Sequence, residues 1–265
     1  VAPRLWYCGC AIAFVLATVM GGVGAESALA QPPAAAPLPQ VRLVQPSSEH
    51  VPANLLRISI TFAAPVDGSV LSRLALLNRD GSAIAAPFLP QELWSPDGTI
   101  LTLLLHPGRV KTGLNAREAF GPILEAGMDV SLALDGRPLQ HWRVDPVDTQ
   151  GPLVSAWRLA PVRAGAREAM VVTLDGPIDG RGTGYVAIAD ERGRRVEGKA
   201  ALSDGERRWV FTPAHPWRPG RYWLVVRGTL EDAAGNRVNG RFETPLDPEA
   251  SSAAPADVVR RFHVR

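Results

Sequence analysis

The chain repeats itself, and the length of the repeat limits what it can fold into. Residues 58–84, ISITFAAPVDGSVLSRLALLNRDGSAI, align without a gap on residues 170–196, MVVTLDGPIDGRGTGYVAIADERGRRV, at an offset of 112. Thr61 falls on Thr173, Pro65 on Pro177, Asp67 on Asp179, Gly68 on Gly180 and Gly81 on Gly193. Apolar positions agree as well: Phe62 with Leu174, Val66 with Ile178, Leu76 with Ile188 and Ile84 with Val196. Stacked-repeat proteins use units of roughly 20–50 residues. A period this long is the size of a domain, so the chain reads as a duplicated domain.

Each copy opens on a strand. Leu56, Ile58, Ile60 and Phe62 alternate with Arg57, Ser59 and Thr61, the period of a half-buried strand. In the Pro-x-Asp-Gly that follows, proline ends ladder pairing because it has no N–H. Val66 or Ile178 can turn back into the core, and Asp with Gly makes the turn. Further strands are expected over Ile100–Leu105, Val130–Leu134, Arg208–Phe211 and Tyr222–Val226, with a type II turn at Pro219-Gly220. Asp232-Ala-Ala-Gly235-Asn236 reads as a tight turn before Val238 and Phe242. No segment carries a long helical period with caps, so the expected fold class is all-β, and many short strands at regular spacing indicate sandwiches or barrels.

The segment PGRYWLVVRGTLEDAAGNRVNGRFE resembles the closing half of bacterial Ig-like domains of S-layer and other envelope proteins, and VTLDGPIDG resembles their opening half. The resemblance covers about residues 150–246; the first copy keeps ITFAAPVDG and loses the Leu-x-Asp part of the turn. With the duplication it implies two tandem immunoglobulin-like β-sandwich domains and no particular activity, because such modules serve as spacers, adhesins and accessories. The Cys-Trp-Cys core pattern of antibody domains is absent.

The N-terminus fixes the expected compartment. Arg4, an apolar run over residues 11–20 and Ala28-Leu29-Ala30 match an export signal cleaved before Gln31. The rival is an uncleaved anchor, since residues 5–25 are apolar for nearly a membrane span; the Gly-Gly-Val-Gly break and the small-x-small site favour cleavage. The organisation expected is a signal over 1–30, a Pro/Ala linker over 31–40, sandwich domains over 41–147 and 148–246, and a linker with a C-terminal strand over 247–265. Localisation is then periplasmic or extracellular, with no membrane span in the mature chain. Both cysteines, Cys8 and Cys10, lie inside the signal, so the mature chain offers no disulfide, thiol nucleophile or Cys-metal site.

Charge excludes one class of partner. Residues 41–147 carry a net −1 and residues 148–246 a net +3, with acids interspersed throughout. No basic face of the kind nucleic acid requires is visible, and no nucleic-acid partner is expected.

Catalytic and metal patterns are missing. The five histidines have no paired spacing, and no Gly-x-Ser-x-Gly elbow or Walker loop occurs. No cofactor, metal site or catalytic residue is expected. A calcium reading of Asp232 with Asn236 gives way to that of a stabilised turn, since few oxygen ligands are local. A carboxylate pair lining a pocket would favour a hydrolase with a loop-assembled site.

Two binding candidates remain. An extra stretch in the first copy, Gly108 to Leu124, reads either as a local packing insertion or as a protruding loop that carries Arg109, Lys111 and Arg117 as contact candidates, since binding groups are commonly carried on loops. Trp94 and Trp217 lie near turns and are the better surface candidates for a glycan, with packing as the favoured alternative; Trp209, alternating with Phe211, reads as core. The function expected is a non-catalytic exported module that binds or spaces envelope macromolecules, with an unidentified envelope protein or glycan as partner. Finally, Val258, Phe262 and Val264 share one side of a C-terminal strand, interrupted by Arg260, and residues 258–264 are expected to dock on an edge of one sandwich.

Overall fold

The computed structural model describes residues 39–110, 121–238 and 256–265. The signal expected over 1–30, most of the Pro/Ala linker over 31–40, Lys111, Arg117, Phe242 and most of the 247–257 linker lie outside them. Fifteen strands are described: β1 Val41–Gln45, β2 His50–Pro52, β3 Arg57–Phe62, β4 Leu74–Asn78, β5 Leu93–Trp94, β6 Ile100–Leu104, β7 Asp129–Leu134, β8 Arg137–Asp145, β9 Arg158–Leu159, β10 Met170–Thr173, β11 Val186–Asp190, β12 Gly198–Ser203, β13 Arg208–Pro213, β14 Gly220–Val226 and β15 Val258–Val264. A four-residue helix, Pro107–Val110, and three short 3-10 turns complete the regular structure. Among the described residues no helix is long and apolar enough to cross a membrane.

The strands form four sheets, with orders β1-β3-β6-β5, β2-β8-β7-β4, β9-β10-β13-β12 and β11-β14-β15. All neighbours are antiparallel except β2 with β8. Two hydrophobic cores result. The first gathers Ile58, Ile60, Leu101 and Leu103 from one sheet against Leu76, Leu132, Trp142 and Val144 from another. The second gathers Met170, Val172, Trp209 and Phe211 against Ile188, Leu224, Val226 and Val264. The period-two alternation makes this possible, since every second side chain of a strand points to the same face.

The repeat occupies equivalent places in the two halves. β3 and β10 each lie second in their sheets, and both are followed by a 3-10 turn, at Leu71–Arg73 and Gly182–Tyr185. β4 and β11, at the full offset of 112, then pair with β7 and β14. Pro65 and Pro177 stand at the same corner. Val66 packs on the first core, and Ile178 is inside the second.

β15 pairs with β14 along its whole length, from Gly220 opposite Val264 to Val226 opposite Val258. It takes the place beside β14 that β8 takes beside β7. Val264 is in the second core, and Val258 and Phe262 pack on it. Arg260, the interruption in the apolar side, donates to the carbonyls of Val154 and Trp157. In the first half the turn Asp135-Gly136 joins the equivalent strands directly; in the second, residues 227–257 intervene. The Phe-containing strand beside β14 is therefore the one that carries Phe262.

Candidate functional site: the seam between the two cores

Three loops of the second half meet the first half. The first joins β12 to β13. Asp204, Gly205 and Glu206 have φ of 56°, 59° and 61°, three successive residues in the left-handed region that side chains disfavour. Glu206 is only 2% exposed, yet its carboxylate is fully engaged. It accepts the backbone N–H of Ser47 at 2.9 Å, the Ser47 hydroxyl at 2.7 Å and Gln45 Nε2 at 3.2 Å. Beside it, Gly205 lies so close to Ser48 that a Cβ would sit 2.9 Å from the serine's own Cβ.

The second loop is the repeated Pro-x-Asp-Gly turn. Gly68 in the first copy has a φ of 78° and open space around it, so it serves the turn itself. Gly180 is used differently: a Cβ there would fall 2.7 Å from Gln45 Cβ, so its bare backbone admits the neighbouring half. Asp67 is exposed, whereas its match Asp179 is buried. Asp179 accepts Arg181 N–H at 2.7 Å and lies 3.2 Å from Arg57 Nε, a contact of charges that is not aligned as a hydrogen bond. Arg57 also donates through Nη2 to Glu231, whose other oxygen receives Arg237 Nε at 3.2 Å. Arg181 reaches across to Thr102 Oγ1 at 2.9 Å. Burial pushes the Asp179 carboxyl up, opposed by the charge of Arg57 and by the Arg181 N–H, while Glu231 pushes it further up.

The third loop is the Asp232–Asn236 turn. The Asp232 carboxylate accepts the N–H groups of Ala234 and Asn236 and the Asn236 side-chain amide at 2.8–3.0 Å. This is the stabilised turn expected from sequence. What the sequence did not disclose is its destination. Ala233 belongs to the first core, and its carbonyl accepts Leu56 N–H at 3.0 Å. Asp148, between the halves, is held from both sides: its carbonyl accepts Asn54 Nδ2 and Asn236 Nδ2, and its N–H donates to Asn54 Oδ1. Burial pushes the Asp232 carboxyl up to about 7, against its hydrogen bonds to Asn236 and with a further push from Asp148.

A cavity of about 260 Å³ opens on this seam, lined by Arg57, Asp179, Arg181, Tyr185, Glu231 and Arg237 among others. Asp179 and Glu231 are thus a carboxylate pair lining a pocket, the arrangement a hydrolase would use. Arg57 lies against both, so the pair takes part in an ion-pair network. The arrangement fixes one half against the other. Among the described residues no cluster of three His, Cys, Asp or Glu side chains could hold a metal ion.

Of the residues singled out from sequence, Lys111 and Arg117 lie outside the described residues, and Arg109 and Trp217 are buried where exposed positions were expected. Arg109 is 7% exposed, and its guanidinium donates to the carbonyls of Ala85, Ala86, Gly121 and Pro122. Its five-donor fork ties two loops together. Trp217 is 3% exposed, packs edge-on against Tyr222 and donates to the Glu168 carbonyl. Proximity to a turn suggested a surface ring, but the turn folds it inward. Trp94 is half-buried against Phe62, with its indole N–H held by Glu92 at 2.9 Å. Trp209 is core, stacked on Phe211 as the alternation required.

No family model and no curated protein matches the chain. Among solved structures it is similar to the L,D-transpeptidase LdtMt1 in complex with imipenem, at 13% identity over 63% of this chain and a TM-score of 0.27. That match spans 62% of the transpeptidase chain. It is also similar to domains 5–6 of the S-layer protein SbsC (10% identity, 85% of this chain and 98% of that one, TM-score 0.24) and to the tandem Ig repeats of Dlar (11%, 69% and 86%, TM-score 0.20). With TM-scores under 0.5 the likeness is weak and is one of fold alone.

Proposed function

We propose that the two layered halves are tandem Ig-like domains locked end to end, and that the chain is a non-catalytic exported spacer that holds other envelope components at a set separation. The seam carries this reading. A flexible two-domain linker would not need a buried carboxylate with three cross-seam donors, a second-half alanine in the first-half core, or an arginine shared by two acids. Interfaces between domains otherwise permit relative motion by default. Export rests on the N-terminal pattern, and intact-mass measurement of the native protein tests it: loss of residues 1–30 supports cleavage, and their retention supports an anchor.

Small-angle scattering tests the spacer. The chain from residue 31 onward is expected to scatter as one rigid body for its two halves, with a maximum dimension unchanged by moderate salt. Arg57→Ala, which leaves Asp179 and Glu231 without their shared cation, is expected to broaden that distribution. A wild-type profile that already requires an ensemble of inter-half angles would remove the reading.

A further inference from the structure

The end of the second half away from the seam concentrates arginine. Asp179 beyond β10, Tyr185 before β11 and Leu230 beyond β14 all sit at the seam cavity. The opposite ends of these strands, with the hairpin after β11 and the loop before β14, therefore form the far end. Two adjoining concavities there, of about 470 and 160 Å³, share Asp190, Arg194, Arg218 and Tyr222 and make one groove.

The groove is built and held. Asp190 accepts Arg194 through Nε at 3.0 Å and Nη2 at 2.8 Å, and also the N–H groups of Arg192 and Arg194, which sets the hairpin. The Tyr222 hydroxyl donates to the Arg218 carbonyl, and Trp217 packs beneath against Tyr222. With Asp190 neutralised by Arg194, the remaining charge on the walls is Arg192, Arg195, Arg218 and Arg221 against Glu191 and Glu197. Those four arginines are exposed, and none has an ion-pair partner among the described residues. Glu197 faces His215 at 4.0 Å.

A planar guanidinium presents paired donors that match phosphate oxygens. The surface is concave, and none of the large exposed apolar side chains of the described residues lies in it, so it has no anchor to insert into a bilayer. We propose that this groove binds a phosphate-bearing polyanion in solution, with Arg192, Arg195, Arg218 and Arg221 as the contact residues. The proposal goes beyond the spacer reading and does not depend on it, since every residue belongs to the second half.

The test is binding of the mature full chain to fluorescently labelled inorganic polyphosphate, read by anisotropy over a salt series. Saturable binding that weakens steeply with salt is expected, as counterion release requires. Replacing the four arginines together by Gln should weaken it by at least about tenfold, since each exposed charge contact is small and four are removed. All four are exposed, so circular dichroism and the thermal midpoint should not change. A control chain with Arg42, Arg79, Arg137 and Arg143 replaced by Gln loses the same charge from the first half and should bind as wild type. Equal loss in both variants would reduce the effect to net charge and overturn the site. Absence of polyphosphate binding overturns it as well, as does capture by phosphatidylglycerol vesicles without polyphosphate binding, which would mean a membrane surface. A flexible seam in scattering with retained polyphosphate binding would sink the spacer alone.

Discussion

Glu206 combines a disfavoured backbone with a buried charge. A non-glycine residue at positive φ costs on the order of 1–3 kcal/mol and persists where surrounding contacts hold it. Here the three donors from Ser47 and Gln45 hold it. Glu206→Ala is expected to lower stability by about 2–4 kcal/mol, because it strands those donors while keeping the strained backbone. Glu206→Gln keeps one acceptor oxygen and the shape, and should cost about half as much. Equal midpoints for the two variants in urea would show that the backbone, not the carboxylate, dominates. Asp232 gives a pH signature of the opposite kind to a surface carboxylate. Its folded pKa, about 7, lies above the unfolded value of roughly 3.9, so the folded state binds the extra proton between them. Its contribution to stability is therefore fully present below about pH 4, and is lost as pH rises to about 7. Denaturant midpoints at pH 4.5 and 7.5 should differ in wild type, the lower pH being more stable, and the difference should shrink in Asp232→Asn. An unchanged difference in the variant would assign the slope to other groups.

At the scale of elements, β15 is the informative case. Its apolar side was visible in the sequence, and so was the need to cover it; which edge it would choose was not. Pairing to β14 in full register places Val264 in the second core and leaves Val259 outward, 54% exposed. Amides of residues 258–264 are expected to exchange slowly in the intact chain, with protection near that of their β14 partners. Exchange at the random-coil rate would contradict the docked strand. The Asp232–Asn236 turn shows the complementary case. Its local chemistry followed from Asp, Gly and Asn at their spacing, but the delivery of Ala233 into the other core depends on a partner surface more than 170 residues away in sequence, at Leu56. No local pattern encodes such a contact.

At the scale of the molecule, the two halves should unfold as one. Each core alone is that of a small domain, and a seam of buried polar contacts couples them; domains without such coupling melt separately. A single calorimetric transition is expected for wild type. Arg57→Ala should split it or broaden it, since it leaves the buried Asp179 carboxylate without its ion-pair partner, at a cost of about 3 kcal/mol. Two well-separated transitions in wild type would show that the seam does not couple the halves.

The sequence by itself determined the all-β class, the equivalence of residues 58–84 and 170–196, the inward Trp209 and the sidedness of residues 258–264. These follow from alternation and turn chemistry, which act over a few residues. The arginine run Arg192, Arg194 and Arg195 was also on view, but its companions Arg218 and Arg221 come from another loop, so the groove was not. Only the tertiary structure decided that Asp179 and Gly180 serve a seam where Asp67 and Gly68 serve an exposed turn, although the four align. Only it turned Trp217 and Arg109 inward, away from the surface roles their turn-side positions suggested. The physical reason is the same throughout: a short segment specifies its own backbone and which side is apolar, while burial, ion pairing and close approach are set by whatever distant segment the fold brings against it.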